Sequence, residues 1–209
     1  MQQPVTLVAV SKTKSADEVR EAFAAGQREF GENYAQEAVA KIEVLADLRT
    51  HGLVWHFIGP LQSNKLNAVA THFDWVHGVD RLKVAASLSR HRANHQADSN
   101  ALNVCVQVNV SDEASKSGVI PEDALALATQ VALLPHLKLR GLMTIIEQTN
   151  DEATQRAQFR RMRTLLQSLQ GAGMDVDTLS MGMSQDFAIA ITEGATMVRI
   201  GSAIFGARQ

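Results

Sequence analysis

The sequence predicts an α/β protein, a single (β/α)8 TIM barrel occupying residues 1–209 as one domain. Three observations predict it. Short apolar strand-like segments alternate with helix-like ones from end to end; eight such units can be counted; and neither a Gly-x-Gly-x-x-Gly after the first strand nor a Walker-type phosphate loop occurs. Strict alternation implies parallel strands joined by helical crossovers. Eight units favour a closed barrel, for which about 200 residues is the lower end of the usual range. The alternative, an open doubly wound sheet, is weakened by the missing glycine fingerprint.

The first strand is read over Thr6–Lys12. Ser15 with Glu18 has capping-box spacing and opens a helix with Val19, Ala22 and Phe23 on its apolar side and Gly26 at its end. A short strand at Glu29–Gly31 leads into a helix over Ala35–Leu48, with Val39, Ile42 and Leu45 or Ala46 facing the core. Val54–Ile58 is the third strand, broken by Gly59-Pro60 and followed by a short helix through Lys65 and Val69. Trp75–Val79 and a helix from Arg81 to about His95 form the fourth unit, and the polar stretch 96–100 is a loop. Val104–Val110 is the fifth strand; Pro121 suits the first turn of the helix that runs through Leu134. Leu137–Ile145 is the sixth strand, and a long helix runs from Asp151 to Gln170. Thr178–Met181, a helix over Gln185–Glu193, and the strand Met197–Ile200 complete the pattern, with 201–206 as a closing helical turn.

Composition narrows the function. Hydrophobic residues make up 45% and charged residues 20%, enough to build a core. A formal net charge of -2 without a basic block argues against a nucleic-acid partner. Cys105, the only cysteine, excludes an internal disulfide and a multi-thiolate metal site, and its apolar surroundings make it a buried structural thiol. No apolar stretch is long enough to span a bilayer, and Met1-Gln2-Gln3-Pro4 lacks the charged start of a signal peptide, so the expected setting is cytoplasmic.

Barrels of this class place their chemistry at the C-terminal ends of the strands. Lys12 ends an otherwise apolar strand there, where lost solvation lowers an amine pKa and suits it to Schiff-base formation; snorkelling to solvent is the competing reading. Lys14 reads as a solvated loop residue. Phosphate in such barrels binds the loops after strands seven and eight. Here those ends are Gly182-Met183-Ser184, with Ser184 placed to cap the next helix, and Arg199-Ile200-Gly201-Ser202. Free backbone N–H groups there can meet an anion, although simple capping by Ser184 and Ser202 is the plainer alternative. Arg199, flanked by Val198 and Ile200, needs an acceptor wherever it is buried, and a structural carboxylate is the competing partner. His91 and His95 share a helix face but lack a third ligand, so no metal site is expected. His56, between Trp55 and Phe57, reads as a satisfied core histidine, and Met181 and Met183 as barrel filling.

Seven segments together carry a more specific signal: Ala9-Val10-Ser11-Lys12-Thr13-Lys14, Phe30-Gly31-Glu32-Asn33-Tyr34, the stretch from Trp55 to Lys65, Ser115-Lys116-Ser117-Gly118, Arg140-Gly141-Leu142-Met143, Ser180-Met181-Gly182-Met183-Ser184, and Val198-Arg199-Ile200-Gly201 through Gly206. In this order, over nearly the whole chain, they resemble the pyridoxal phosphate (PLP) homeostasis proteins of the YggS/PROSC type. The resemblance implies a barrel like the N-terminal domain of alanine racemase (fold type III), with PLP as a Schiff base on Lys12. It also implies phosphate contacts from Ser184, Gly201 and Ser202, Asn33 beside the cofactor, and Arg199 near the ring or phosphate. Two departures stand out: the family usually carries an extra helix before the first strand, and Phe187-Ala188 stands where the family has a more polar helix start.

The role implied is intracellular vitamin B6 homeostasis, with little or no turnover and with PLP-dependent apoenzymes as recipients of the cofactor. The protein is expected to be a monomer without membrane partners. A racemase needs a second acid/base on the opposite face of the substrate. In alanine racemase-like enzymes another domain and a partner subunit provide it, whereas here the barrel consumes the whole chain. Tyr34, the only tyrosine, reads equally as a relic base or a packing residue. A low-activity amino-acid racemase or lyase is the alternative.

Overall fold

The structure, a computed structural model, describes residues 4–94, 101–111 and 116–206. Eight parallel strands close into a barrel in sequence order: β1 Thr6–Val10, β2 Glu29–Glu32, β3 Val54–Phe57, β4 Trp75–Val79, β5 Leu102–Gln107, β6 Leu137–Met143, β7 Thr178–Ser180 and β8 Met197–Ile200. Closure is made by β1 on β8, with Thr6 beside Met197 and Ala9 beside Ile200. The predicted fold is therefore the observed one. Helices follow the strands: α1 Ala16–Ala24, α2 Ala35–Val44, the one-turn α3 Ala46–Arg49, α4 Leu66–His72, α5 Leu82–Ala93, α6 Pro121–Ala132, α7 Glu152–Gly171, α8 Phe187–Thr192 and α9 Ser202–Phe205.

Local chemistry accounts for these elements. Ser15 accepts from the Glu18 amide while the Glu18 carboxylate accepts from the Ser15 amide, so the predicted capping box is present at α1. Asp151 caps α7 through the amides of Ala153 and Thr154, and Pro121 stands in the first turn of α6. The predicted helix over 35–48 breaks at Leu45; of its expected apolar side Ile42 and Leu45 are buried and Val39 only half-buried, and Ala35, Ala38 and Lys41 complete the buried face. Strands β5, β6 and β7 stop short of their apolar runs, because the chain beyond turns into the rim loops. His95 and the predicted loop 96–100 lie outside the described residues.

Side chains alternate across each strand. On β3, Trp55 and Phe57 join the helix-side layer, where Phe30 and Phe73 pack against them with ring centroids 5.9 and 5.2 Å away. Phe159, Met162, Leu166 and Leu169 of α7 bury in the same layer. His56 points the other way, into the lumen, and meets His77 of β4. The lumen is thus unusually polar for this architecture, where branched aliphatics dominate. Buried among its residues are His56, His77, Ser180 and Arg199. Cys105 is fully buried, as expected, and burial pushes its thiol up to about 12. No helix among the described residues is long and apolar enough to cross a membrane.

Candidate functional site

The C-terminal ends of β1 and β8 border a cavity of about 210 Å³ lined by Lys12, Thr13, Lys14, Met183, Ser184, Arg199, Gly201, Ser202 and neighbouring residues. It therefore brings together Lys12, Ser184, Arg199, Gly201 and Ser202 from the residues singled out in the sequence. Asn33 sits apart, lining an adjacent hollow of about 290 Å³ with Gly59, Gln107 and Ser117. Its Oδ1 is buried and meets no hydrogen-bond partner. A third and larger cavity, about 440 Å³, continues from the first across Met183, Ser184 and Ser202 toward Glu147 and Gln155.

Lys12 does not end a strand. β1 stops at Val10, the ladder gains one more bond from the Ser11 amide to the Gly31 carbonyl, and Lys12 stands in the loop beyond. Both of its neighbours are tied down. The Ser11 hydroxyl donates to Glu32 Oε1 (2.6 Å), and the Ser11 carbonyl accepts from Lys41 Nζ (2.8 Å). The Thr13 amide donates to Glu37 (2.7 Å), holding Thr13 at a φ of 64°. Lys41 Nζ completes the cluster with Glu32 Oε1 (2.7 Å) and Glu37 (3.3 Å). Glu32 is fully buried, with Oε2 unpaired, and burial holds its carboxyl above the usual range against the opposing pull of Lys41. Sequence reading missed this cluster. The available signal was Lys41 itself, a lysine lying on the same helix face as Ala38 and Ile42, which a buried stripe tolerates only with a partner.

Lys14 is likewise more than a solvated loop residue. Its Nζ donates to the Phe205 carbonyl (2.9 Å) and pairs with Glu18 (3.2 Å), which fastens the edge of the cavity to α9.

On the opposite side, Gly182 at φ 97° turns the chain after β7, where an added Cβ would stand 2.7 Å from Ala190 Cβ. Ser184 is not the cap of α8, contrary to the sequence expectation. Asp186 holds the N-cap position, and its carboxylate accepts from the Met183 amide (2.5 Å). This releases Ser184, whose hydroxyl accepts from Ser202 across the gap between the two loops (3.2 Å). The backbone amides of Ser184, Gln185, Ser202 and Ala203 find no protein acceptor among the described residues. Gly201 packs against β1, where an added Cβ would sit 3.2 Å from the Val10 carbonyl, so a side chain there would make the two segments give by a few tenths of an ångström.

Arg199 is 4% exposed. Its Nη1 donates to Ser180 Oγ (2.7 Å) and its Nη2 to the Thr144 carbonyl (2.9 Å), so its partners are neutral oxygens rather than the carboxylate weighed in the sequence. Burial pulls its pKa down to about 10, with the charge of Asp186 opposing. Tyr34 is 55% exposed and does not pack inside the barrel, whereas Met181 is fully buried and Met183 lines the cavities. Among the described residues no group of acidic, histidine or cysteine side chains has metal-site geometry.

A closed eight-stranded parallel barrel with a lysine in the first rim loop and amide-rich loops after the last two strands defines a class of protein. The family model for the alanine racemase N-terminal domain matches residues 1–209. The pyridoxal phosphate homeostasis protein of Pseudomonas aeruginosa is 60% identical over 205 residues, covering 98% of this chain and 85% of the relative. That of Escherichia coli K12 is 51% identical over 207 residues, covering 99% and 87%. The structure of PipY from Synechococcus elongatus PCC7942 with PLP bound superposes with a TM-score of 0.88 at 41% identity, covering 97% of this chain and 92% of PipY. The chain belongs to the pyridoxal phosphate homeostasis protein family, whose barrel is the alanine racemase N-terminal domain.

Proposed function

We propose that the protein holds pyridoxal 5′-phosphate at the barrel mouth, covalently on Lys12, and serves intracellular vitamin B6 homeostasis with little or no catalytic turnover. One observation carries the reading: a single cavity gathers a lysine, an arginine, two serine hydroxyls and a glycine that lets the backbone approach. When bound, the cofactor supplies an aldehyde for an amine and a phosphate for hydrogen-bond donors. The residues fit both needs. Lys12 is presented by a loop whose neighbours on either side are fixed by Glu32, Glu37 and Lys41. The hydroxyls of Ser184 and Ser202, with the unclaimed amides of the β7–α8 and β8–α9 loops, suit a phosphate. Arg199 presents donors only, so it favours an acceptor on the ring or phosphate, and beside a pyridine nitrogen it would keep the ring unprotonated and weaken its capacity to accept electrons. Asn33 would lie beside the bound cofactor from the adjacent hollow, where its buried Oδ1 could accept a hydrogen bond.

The reading treats residues 1–209 as one domain acting in the cytoplasm as a monomer and passing cofactor to PLP-dependent apoenzymes. It is supported by relatives named for homeostasis rather than catalysis.

Borohydride reduction of the PLP-loaded protein, followed by peptide mass mapping, tests the site. A phosphopyridoxyl adduct on Lys12 is expected, and one found only on Lys14, Lys65 or Lys116 would overturn it. A panel of L- and D-amino acids tests the role: substantial turnover would replace the carrier with an enzyme.

A further inference from the structure

Four hydrogen bonds cross the lumen in series. Glu29 Oε2 lies 2.5 Å from His56 Nε2, His56 Nδ1 lies 2.9 Å from His77 Nε2, and His77 Nδ1 lies 2.8 Å from Ser180 Oγ, which accepts from Arg199 Nη1 at 2.7 Å. The path begins at the start of β2 on the barrel floor, where the Glu29 side chain is 29% exposed, and ends at the mouth. Histidine protons are assigned from such networks. Arginine can only donate, so it occupies a lone pair of Ser180. Ser180 Oγ meets only Arg199 and His77 among the described residues, so its own hydrogen has one acceptor, His77 Nδ1. His77 then carries its proton on Nε2 and donates to His56 Nδ1. His56 in turn carries its proton on Nε2 and donates to the Glu29 carboxylate. Every donor points toward the floor.

We propose that Glu29, His56, His77 and Ser180 form a one-way hydrogen-bond relay that anchors to a carboxylate on the barrel floor and fixes the orientation of Arg199 at the mouth. These are positioning residues: they act on a ligand through Arg199, and this consequence rests on the PLP-binding reading above. The geometry has a clear reason. With His77 protonated on Nδ1 instead, Ser180 would receive two N–H groups and its buried hydroxyl hydrogen would have no acceptor, a costly arrangement. A cationic His77 is opposed as well, since burial and then the neighbouring His56 and Arg199 hold its pKa well below the usual histidine value.

Nitrogen-15 NMR of the histidine rings in the cofactor-free protein at neutral pH tests the relay directly. Both His56 and His77 should be neutral with the proton on Nε2, and a protonated Nδ1 on His77 would overturn the proposal. In Ser180→Ala the Glu29 carboxylate, which only accepts, still imposes the direction from the floor, so His77 should keep its proton on Nε2. In Glu29→Gln with Ser180→Ala neither end imposes it, because a carboxamide can accept from or donate to His56, and mixed tautomers should appear at His77. Residue 29 does not touch His77 in this chain of bonds, so a double variant whose His77 signal matches that of Ser180→Ala alone would also overturn the relay. A purely structural role predicts no such remote change. With PLP, Glu29→Gln and Ser180→Ala should weaken binding by about fivefold, the scale of one neutral hydrogen bond, and shift the visible band of the bound cofactor. Unchanged affinity and spectrum, in a variant whose His77 tautomer has moved, would sever the relay from Arg199. Should wild-type protein take up no PLP, the proposed function fails, while the NMR result still decides the relay.

Discussion

The two sides of the barrel mouth are built from different materials. On the β1–β2 side the Lys12 loop is secured by charged side chains taken out of water: Lys41 and Glu32 have side-chain exposures of 5% and 0%. On the β7–β8 side the loops are joined by a single long serine–serine hydrogen bond at 3.2 Å and leave backbone amides uncommitted. A buried ion cluster is costly and stiff, because each charge relies on its partners. Hydroxyls and amides at a rim are cheap and replaceable. The difference suits a site in which one side sets the position of a reactive amine and the other accepts and releases an anion.

Removing the amine should have the largest effect. Lys12→Ala should abolish covalent attachment, seen as loss of the visible absorption band and of any borohydride-trapped adduct. The proposed phosphate contacts on the other side are untouched by this change, so reversible binding of PLP should persist and be measurable by calorimetry. Retention of a trapped adduct in Lys12→Ala would move the covalent site elsewhere.

Breaking the support of the amine comes next. Lys41→Met leaves the Glu32 carboxylate buried without its ammonium, which should cost about 3–5 kcal/mol in urea unfolding. Replacing both partners, as in Lys41→Met with Glu32→Leu, should return much of that stability, since well-packed apolar replacements of buried pairs are often neutral. If Lys41→Met alone unfolds at the wild-type urea concentration, the cluster does not hold this side together.

The same contrast explains what could be read from sequence. The barrel was legible because eight apolar strands separated by amphipathic helices repeat a pattern that only local periodicity need reveal, and the capping box at Ser15 and Glu18 even fixed a helix start. The β7–β8 side of the cavity was legible for a related reason: the glycines and serines that line it stand at strand ends, where the barrel rule looks first. The buried cluster was not, because Lys41 and Glu32 lie nine residues apart on different elements and meet only when α2 folds back on the sheet. Ser184 was misassigned as a cap because α8 begins two residues later than the pattern suggests, which puts Asp186 at the N-cap position with its carboxylate turned back to the Met183 amide. The lumen relay joins strands 103 residues apart at its His77–Ser180 link, beyond any local pattern.

The anion side should yield more gradually. Ser184→Ala and Ser202→Ala each remove one hydroxyl but none of the neighbouring amides. Each should weaken PLP binding by roughly tenfold, the scale of one hydrogen bond to a charged group, with thermal stability nearly unchanged. Gly201→Ala sharpens the contrast. Its new Cβ would stand 3.2 Å from the Val10 carbonyl of β1, so it should push the two sides apart and weaken binding more than either serine change. Equal effects from Gly201→Ala and Ser202→Ala would mean that the close approach of backbone is not what shapes the cavity.

Tyr34 should give the smallest effect. It follows Asn33 on the amine side, as the N-cap residue of α2, but its side chain makes no capping hydrogen bond and is 55% exposed. An exposed phenol is strongly solvated, so it gains little from an ordered role and its loss exposes no buried polar group. Tyr34→Phe should therefore change unfolding free energy by less than about 0.5 kcal/mol, the usual range for surface substitutions. PLP affinity should stay within about twofold, because no part of the Glu32–Lys41–Ser11 cluster is disturbed. The measurement also bears on the carrier reading. If the protein racemises an amino acid even slowly and Tyr34→Phe abolishes that activity while leaving PLP affinity intact, the phenol is an acid/base group and the amine side holds catalytic machinery as well as an anchor.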